Sequence, residues 1–168
     1  LFRLQMQLPM AMQKKRKREK SIAEQIKDSI FVPNVSLGQF VLGSDIRSYL
    51  RNEAYVFEEN PDKEKGYGYD SYYFDQLGLE VWTDSDGIIE SIRSEHACYW
   101  NNINIIGLRF EKFKEIYHLK PDSEDKCYFP DGTSQHVYDF ELDGIQLWVR
   151  YGIIRTVIVC QLAEPGIS

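Results

Sequence analysis

Two stretches of the chain alternate apolar and polar residues with the period of a β-strand on both sides of a glycine-containing turn. The first runs from Gly78-Leu79-Glu80-Val81-Trp82 through Thr83-Asp84-Ser85-Asp86-Gly87 into Ile88-Ile89-Glu90-Ser91-Ile92. The second runs from Gly144-Ile145-Gln146-Leu147-Trp148-Val149-Arg150 through Tyr151-Gly152 into Ile153-Ile154-Arg155-Thr156-Val157. Gly78 aligns with Gly144, Trp82 with Trp148, and Gly87-Ile88-Ile89 with Gly152-Ile153-Ile154 after a one-residue deletion in the turn. Each copy predicts a β-hairpin, and the recurrence predicts an internal repeat. Upstream, Leu37-Gly38 followed by Leu50 has the spacing of Ile106-Gly107 followed by Leu119. Ser44 to Leu50 reads as a short capped helix, and Phe110, Phe113, Ile116 and Tyr117 form a helical stripe. A third strand is expected before each hairpin, around Tyr69 to Asp75 and Val137 to Leu142. The polar segments Asn52 to Gly68 and Lys120 to Thr133, rich in Pro, Gly and Asp, read as loops.

The expected fold class is therefore α+β: two tandem helix-plus-three-strand repeats, at about residues 34–101 and 102–163, forming antiparallel sheet with helices on one face. An N-terminal helix precedes them. Ser21 and Glu24 make a capping-box pattern, and Ile22, Ile26 and Ile30 recur at helical spacing, so this helix is expected from about Ser21 to Ile30, closed by Pro33. The good helix formers just upstream allow an earlier start.

Strand parity separates two faces. Leu79 and Val81, with Ile145, Leu147 and Val149, form an aliphatic face that the helices are expected to cover. Glu80, Trp82, Gln146, Trp148 and Arg150 share the other. Large aromatics among polar groups suit a protein-binding surface; the competing reading is that both tryptophans fill space beneath a long loop. A second candidate is the acidic-aromatic stretch of Glu58, Glu59, Asp62, Glu64, Tyr67, Tyr69, Asp70, Tyr72, Tyr73, Phe74 and Asp75, otherwise a solvated loop leading into an aromatic strand.

Charge sharpens this picture. The 168 residues carry a net charge of -6, divided between a basic segment, 1–30, and a single acidic domain, 31–168. Residues 1–30 hold eight basic and three acidic side chains; residues 31–168 hold 12 basic and 23 acidic ones, a net of -11. Such a domain repels nucleic acid and favours a cationic partner. The basic excess is the run Lys14 to Lys20, which reads as a solvated flank, a nucleic-acid or localisation arm, or a protein contact. Leu1 to Met12 is mildly apolar and precedes this run, the reverse of the order in a secretory signal, so no leader is expected there.

A chain that is 43% hydrophobic and 27% charged is expected to fold around a core. No apolar run approaches the roughly 18 residues that span a bilayer. Cys98, Cys127 and Cys160 form no CxxC pair, so no disulfide framework is expected, and a reducing, cytoplasmic setting is. Glu95-His96-Ala97-Cys98 lacks an oriented base or further ligands at fixed spacing. His118 and His136 pair with nothing by pattern, and Asp84 and Asp86 read as hairpin-turn residues rather than a calcium loop. No phosphate-binding, zinc-protease or nucleophile-elbow motif is present. No enzyme, cofactor or metal is expected.

A glycine-preceded short helix, a variable loop and tandem Gly-x-x-x-Trp hairpins over about residues 34–160 resemble the β-lactamase-inhibitor-protein architecture and the related small lipoproteins of outer-membrane assembly. They equally resemble immunity proteins of bacterial polymorphic toxin systems, which are small, acidic and cytoplasmic. The absence of a lipoprotein signal and of paired cysteines favours the last. That resemblance implies a non-catalytic inhibitor whose partner is a basic protein, a cognate toxin domain such as a nuclease, with no membrane and no cofactor. The alternative is a nucleic-acid-associated adaptor using Lys14 to Lys20 as its arm; a small enzyme without a recognisable motif is the third reading.

Overall fold

A computed structural model describes residues 20–161. Helix α1 (Ile22–Lys27) starts at Ser21, whose Oγ accepts from the Glu24 amide while the Glu24 carboxylate accepts from the Ser21 amide. It buries none of its residues, and Asp28 closes it before Ile30. Three two-residue strands, β1 (Phe31–Val32), β2 (Ser36–Leu37) and β3 (Phe40–Val41), form a small sheet. A 3-10 turn at Ile46–Ser48 follows, capped by Asp45 Oδ1 accepting from the Arg47 amide at 2.9 Å. Then come β4 (Val56–Glu58), a 3-10 turn at Lys63–Lys65, β5 (Asp70–Phe74), β6 (Leu79–Thr83) and β7 (Ile89–Ser94). The ribbon β8 (Tyr99–Trp100) and β9 (Ile103–Asn104) leads to helix α2 (Phe110–Tyr117). The chain ends its described course in β10 (Ser123–Tyr128), β11 (Ser134–Phe140), β12 (Ile145–Arg150) and β13 (Ile153–Cys160).

The expected α+β architecture of helix-plus-three-strand repeats is overturned. The described chain is 42% strand and 14% helix, with only two α-helices. Its body is one eight-stranded antiparallel sheet in the order β10-β11-β12-β13-β7-β6-β5-β4. Each half is a four-stranded meander, and the two meet where β7 pairs with β13. The outermost strands, β4 and β10, lie in the segments that read as loops. All three residues of β4 are exposed, and β10 is exposed at every position except Cys127. Strands wet on both faces carry no apolar alternation, so their sequences resemble loops. The short helix expected at Ser44 to Leu50 is reduced to a 3-10 turn.

The upstream equivalence also shifts. Gly43 donates to Ile89 O at 2.8 Å and Ile46 to Gly87 O at 2.9 Å; Gly107 donates to Ile154 O at 2.8 Å and Phe110 to Gly152 O at 2.9 Å. Gly43 to Ile46 is therefore the counterpart of Gly107 to Phe110, not Leu37-Gly38 of Ile106-Gly107. Trp82 and Trp148 occupy matching third strands, and a β-bulge follows each of them.

The core lies on one face of the large sheet. Phe74, Leu79, Val81, Ile92, Phe140, Ile145, Leu147, Val157 and Val159 are all at most 1% exposed. Helix α2 caps this inner face in the second half, with Phe110 stacked 4.0 Å from Tyr138 and Phe113 meeting Phe140 edge-on at 5.4 Å. In the first half Phe40 and Tyr49 serve, Phe40 lying 4.7 Å from Phe74. Burying such a ring contributes about 3 kcal/mol.

Gly78 and Gly144, which open the repeated hairpins, both have left-handed backbones, with φ of 66° and 65°. A Cβ on Gly144 would stand 2.5 Å from the Cys160 carbonyl oxygen, a backbone atom that cannot swing away. Gly144→Ala is expected to lower stability by about 2 kcal/mol or more, from left-handed strain plus this clash, as read by denaturant unfolding. A cost below about 0.5 kcal/mol would contradict the geometry.

Candidate functional site: the outer face of the large sheet

The cross-strand register defines the outer face as a single row. Val56 faces Tyr73, Tyr73 faces Glu80, Glu80 faces Arg93, Arg93 faces Ile158, Ile158 faces Gln146, Gln146 faces Asp139, and Asp139 faces Ser123. On one side lies the row Glu58, Ser71, Trp82, Ser91, Cys160. On the other lies Asp125, Val137, Trp148, Thr156. The two tryptophans thus flank the central row from opposite sides, related by an approximate two-fold axis between Arg93 and Ile158.

Both indoles are half-buried and tied back to the central row. Trp82 Nε1 donates to Glu80 Oε1 at 2.9 Å, and Trp148 Nε1 donates to Gln146 Oε1 at 2.7 Å. Around Glu80, Ser71 Oγ donates at 2.6 Å and Arg93 Nη1 at 3.0 Å, and Arg93 also pairs with Glu95. Around Gln146 the relay is neutral on one side and acidic on the other: Gln146 Nε2 donates to Asp139 Oδ1 at 2.7 Å, and Ser123 Oγ to Asp139 Oδ2 at 2.7 Å. Burial opposes ionisation of Glu80, but the hydrogen bonds from Ser71, Trp82 and Arg93 and the guanidinium charge outweigh it, holding the carboxyl below its ordinary value.

This face does not belong to the main core. Ile158 and Val137 are 8% and 6% exposed, yet neither they nor the two tryptophans join the buried cluster of the inner face. Both tryptophans therefore lie outside the inner-face core. Arg150 closes one corner, its guanidinium 5.2 Å from the Tyr151 ring and its Nε buried without a hydrogen-bond partner among the described residues. With Glu95, Gln135, Arg155 and Thr156 it lines a shallow groove.

The acidic-aromatic stretch is only partly assembled. Glu58 belongs to the outer face, and Tyr67 and Tyr69 are 59% and 51% exposed beside it in sequence. Glu59 and Asp62 are paired with Lys63 at 2.9 Å and Lys65 at 2.8 Å, and Asp70 accepts from the Asn60 amide. Glu64 is exposed and makes no ion pair among the described residues. Tyr72 points to the inner face, packed 4.9 Å from Phe57. Asp75 sits in the turn at the far end of β5, in a groove with His96 and Gly78. Those two leave the candidate surface. Tyr73 of the stretch lies in the central outer row, whereas Phe74 is buried in the inner core. Arg93, Ser71, Asp139, Ile158 and Val137 join the surface, placed there by their cross-strand partners.

Of the basic run only Lys20 is described, paired with Asp28 at 2.5 Å; Lys14 to Glu19 lie outside the described residues. Burial pushes the Cys98 thiol up, and the Cys160 thiol to about 11, first through burial and then through Asp139. Neither is a thiolate near neutral pH. Among the described residues no group of three or more His, Cys, Asp or Glu is placed to hold a metal ion, and no helix is long and apolar enough to cross a membrane.

Because the Glu80 carboxyl is depressed in the folded chain, its contribution to stability is full above its unfolded value and lost as pH falls through the folded value. Glu80→Gln is expected to lower stability by about 1 kcal/mol at pH 7. The gap from the parent should close on acidification below the ordinary carboxylate range. Thermal melts of both proteins across pH check this; a gap that persists or widens in acid would contradict the network.

No family model, curated protein or solved structure matches this chain, so the chemistry of this face rests on its own residues.

Proposed function

We propose that the chain is a non-catalytic inhibitor of the immunity type, which neutralises a cationic protein by docking it on the outer face of the large sheet. The observation that carries this reading is the pair of half-buried tryptophans outside the core, each held in a fixed orientation by a hydrogen bond to its own strand. Oriented indoles lose little conformational freedom on binding, and rigid aromatics with neighbouring Arg are what dominates protein–protein anchors. The polar side chains between them are already hydrogen-bonded, which limits the desolvation cost of covering them.

Charge supports the choice of partner. The described residues carry 14 basic and 24 acidic side chains, a net of -10. A field of this sign steers a basic protein to the surface and raises its association rate by roughly 10 to 1,000-fold, an effect that fades with salt. Anchoring then depends on the indoles, each worth about 2 kcal/mol on truncation.

The test begins with affinity capture by the full chain in its native host and identification of what is retained. A basic protein is expected, lost when Trp82 and Trp148 are both replaced by Ala. Its association rate should fall with rising salt and on neutralising Glu58 and Glu64. Trp→Ala at either site should instead speed dissociation about 30-fold. Retention of nucleic acid in place of protein, or an association rate indifferent to salt, would overturn the reading.

A further inference from the structure

The two free edges of the large sheet are built in opposite ways. β10 carries Glu124, Asp125 and Lys126 at successive positions, and charge along an edge discourages another strand from pairing with it. Its Glu124 is further engaged by His136 Nδ1 at 2.9 Å and Tyr138 Oη at 3.2 Å. β4 is Val56-Phe57-Glu58, with Val56 66% and Phe57 48% exposed. Tyr55 and Tyr73 beside it are 41% and 38% exposed. No strand lies beyond it among the described residues.

The segment is nevertheless well seated. Phe57 lies 4.9 Å from Tyr72, and Tyr55 lies 5.7 Å from Tyr72 and 5.9 Å from Phe74. On the inner face the halves differ: α2 covers Tyr138 and Phe140 in the second half, whereas the first half has the 3-10 turn Ile46–Ser48 with the rings of Phe40 and Tyr49 in that place. An apolar edge that is both held in place and unpaired is a template for a further strand.

We infer that β4 is a strand-addition site: an extended segment of the basic protein partner pairs with Val56–Glu58 and lengthens the sheet by one strand. This deepens the binder reading on which it rests by naming the mode of recognition. Exposure on both faces selects a strand over a helix. A helix laid on the inner face would cover Tyr55 and Phe57 and leave Val56 wet, while an added strand puts neighbours beside both Phe57 and Val56.

Charge sets the pattern of the incoming segment. Residues 56–70 carry five carboxylates and two lysines. Both lysines are engaged, by Glu59 and Asp62, whereas Glu58 and Glu64 have no ion pair among the described residues. Glu58 lies on the outer face and Phe57 on the inner one. The segment therefore presents Lys or Arg on the side of Glu58 and an apolar residue on the side of Phe57, alternating with the strand period. Pairing of β4 with β4 of a second copy would set the unpaired Glu58 and Glu64 of one copy against those of the other, which argues against that self-pairing.

The experiment uses the full chain and, as probe, an end-blocked decapeptide alternating Lys and Val, with alternate-amide N-methylated and Glu/Val peptides as controls. Titration calorimetry and amide hydrogen exchange are the readouts. The Lys/Val peptide is expected to bind and to slow exchange at residues 55–59 but not in β10; both controls should bind at least about tenfold more weakly. Val56→Lys, at an exposed position, should weaken binding by about tenfold or more with an unchanged circular dichroism spectrum, and Tyr128→Ala, on the opposite edge strand β10 and 74% exposed, should leave it unchanged.

Binding that survives Val56→Lys and the N-methylated peptide, or protection in β6 and β12 in place of β4, would overturn the edge inference and leave the outer-face reading standing. Absence of binding at about 1 mM also overturns it, independently of the captured partner. So does sedimentation showing a dimer that Val56→Lys dissociates, since the occupant would then be a second copy.

Discussion

The structure depends on one short seam, the antiparallel pairing of β7 with β13. Four residue pairs form it, from Ser94 with Val157 to Ser91 with Cys160. Its inner residues Ile92, Val157 and Val159 are fully buried, so the seam joins what would otherwise be two small cores into one hydrophobic cluster. Its outer residues Arg93 and Ile158 sit at the centre of the candidate surface. Two four-stranded meanders without it would each present an extra open edge and bury far less apolar area, and small sheets with one covered face are marginal. The segments Gly43 to Ile46 and Gly107 to Phe110 hydrogen-bond to the hairpin turns of their own halves, at the ends of β7 and β13 that lie outside the seam.

Around this axis the halves have diverged in a way that separates tasks. The second half keeps an eight-residue helix over its inner face and a charged outer edge. The first half has a three-residue turn and an apolar edge. Their outer networks differ as well: Glu80 is clamped by a guanidinium, whereas Gln146 passes its hydrogen bond on to Asp139. Acid dissolves the first network by protonating Glu80 but leaves the Gln146 to Trp148 bond intact, since neither partner titrates in that range.

Much of this was legible in the residues that obey strand period. The hairpins, the correspondence of Trp82 with Trp148, and the division into an aliphatic and an amphipathic face follow from residues 78–92 and 144–157. The α+β fold class did not survive, for a definable reason. Val56-Phe57-Glu58 and Ser123 to Tyr128 are edge strands, and a strand bathed on both faces has no side that must be apolar, so its sequence resembles a polar loop. Ser44 to Leu50 has a good cap in Asp45 but is too short to continue beyond a 3-10 turn. In the candidate site, Tyr72 was misplaced because an aromatic cluster in sequence spreads over both faces once it enters a strand. Arg93 was missed because its contact with Glu80 crosses a bulged hairpin, which no one-strand parity shows.

The seam has a consequence for the order in which the chain organises itself. Within each half every strand pairs with its sequence neighbour across a turn, so each meander closes only short loops. The seam joins Ser94 to Val157 across 63 positions. Closing a loop of that length costs about 2 kcal/mol more than closing a hairpin, because the entropy of closure grows with the logarithm of loop length. Local pairing therefore precedes long-range pairing, and each meander exists for a time with its seam strand bare. β7 and β13 are richer in buried aliphatic positions than either final edge, so this transient state carries the stickiest strands of the molecule in the open. A chain held there at high concentration exchanges seam partners with its neighbours, β7 of one copy taking β13 of another, and the route to misassembly is the same hydrogen-bonded register that completes the native sheet.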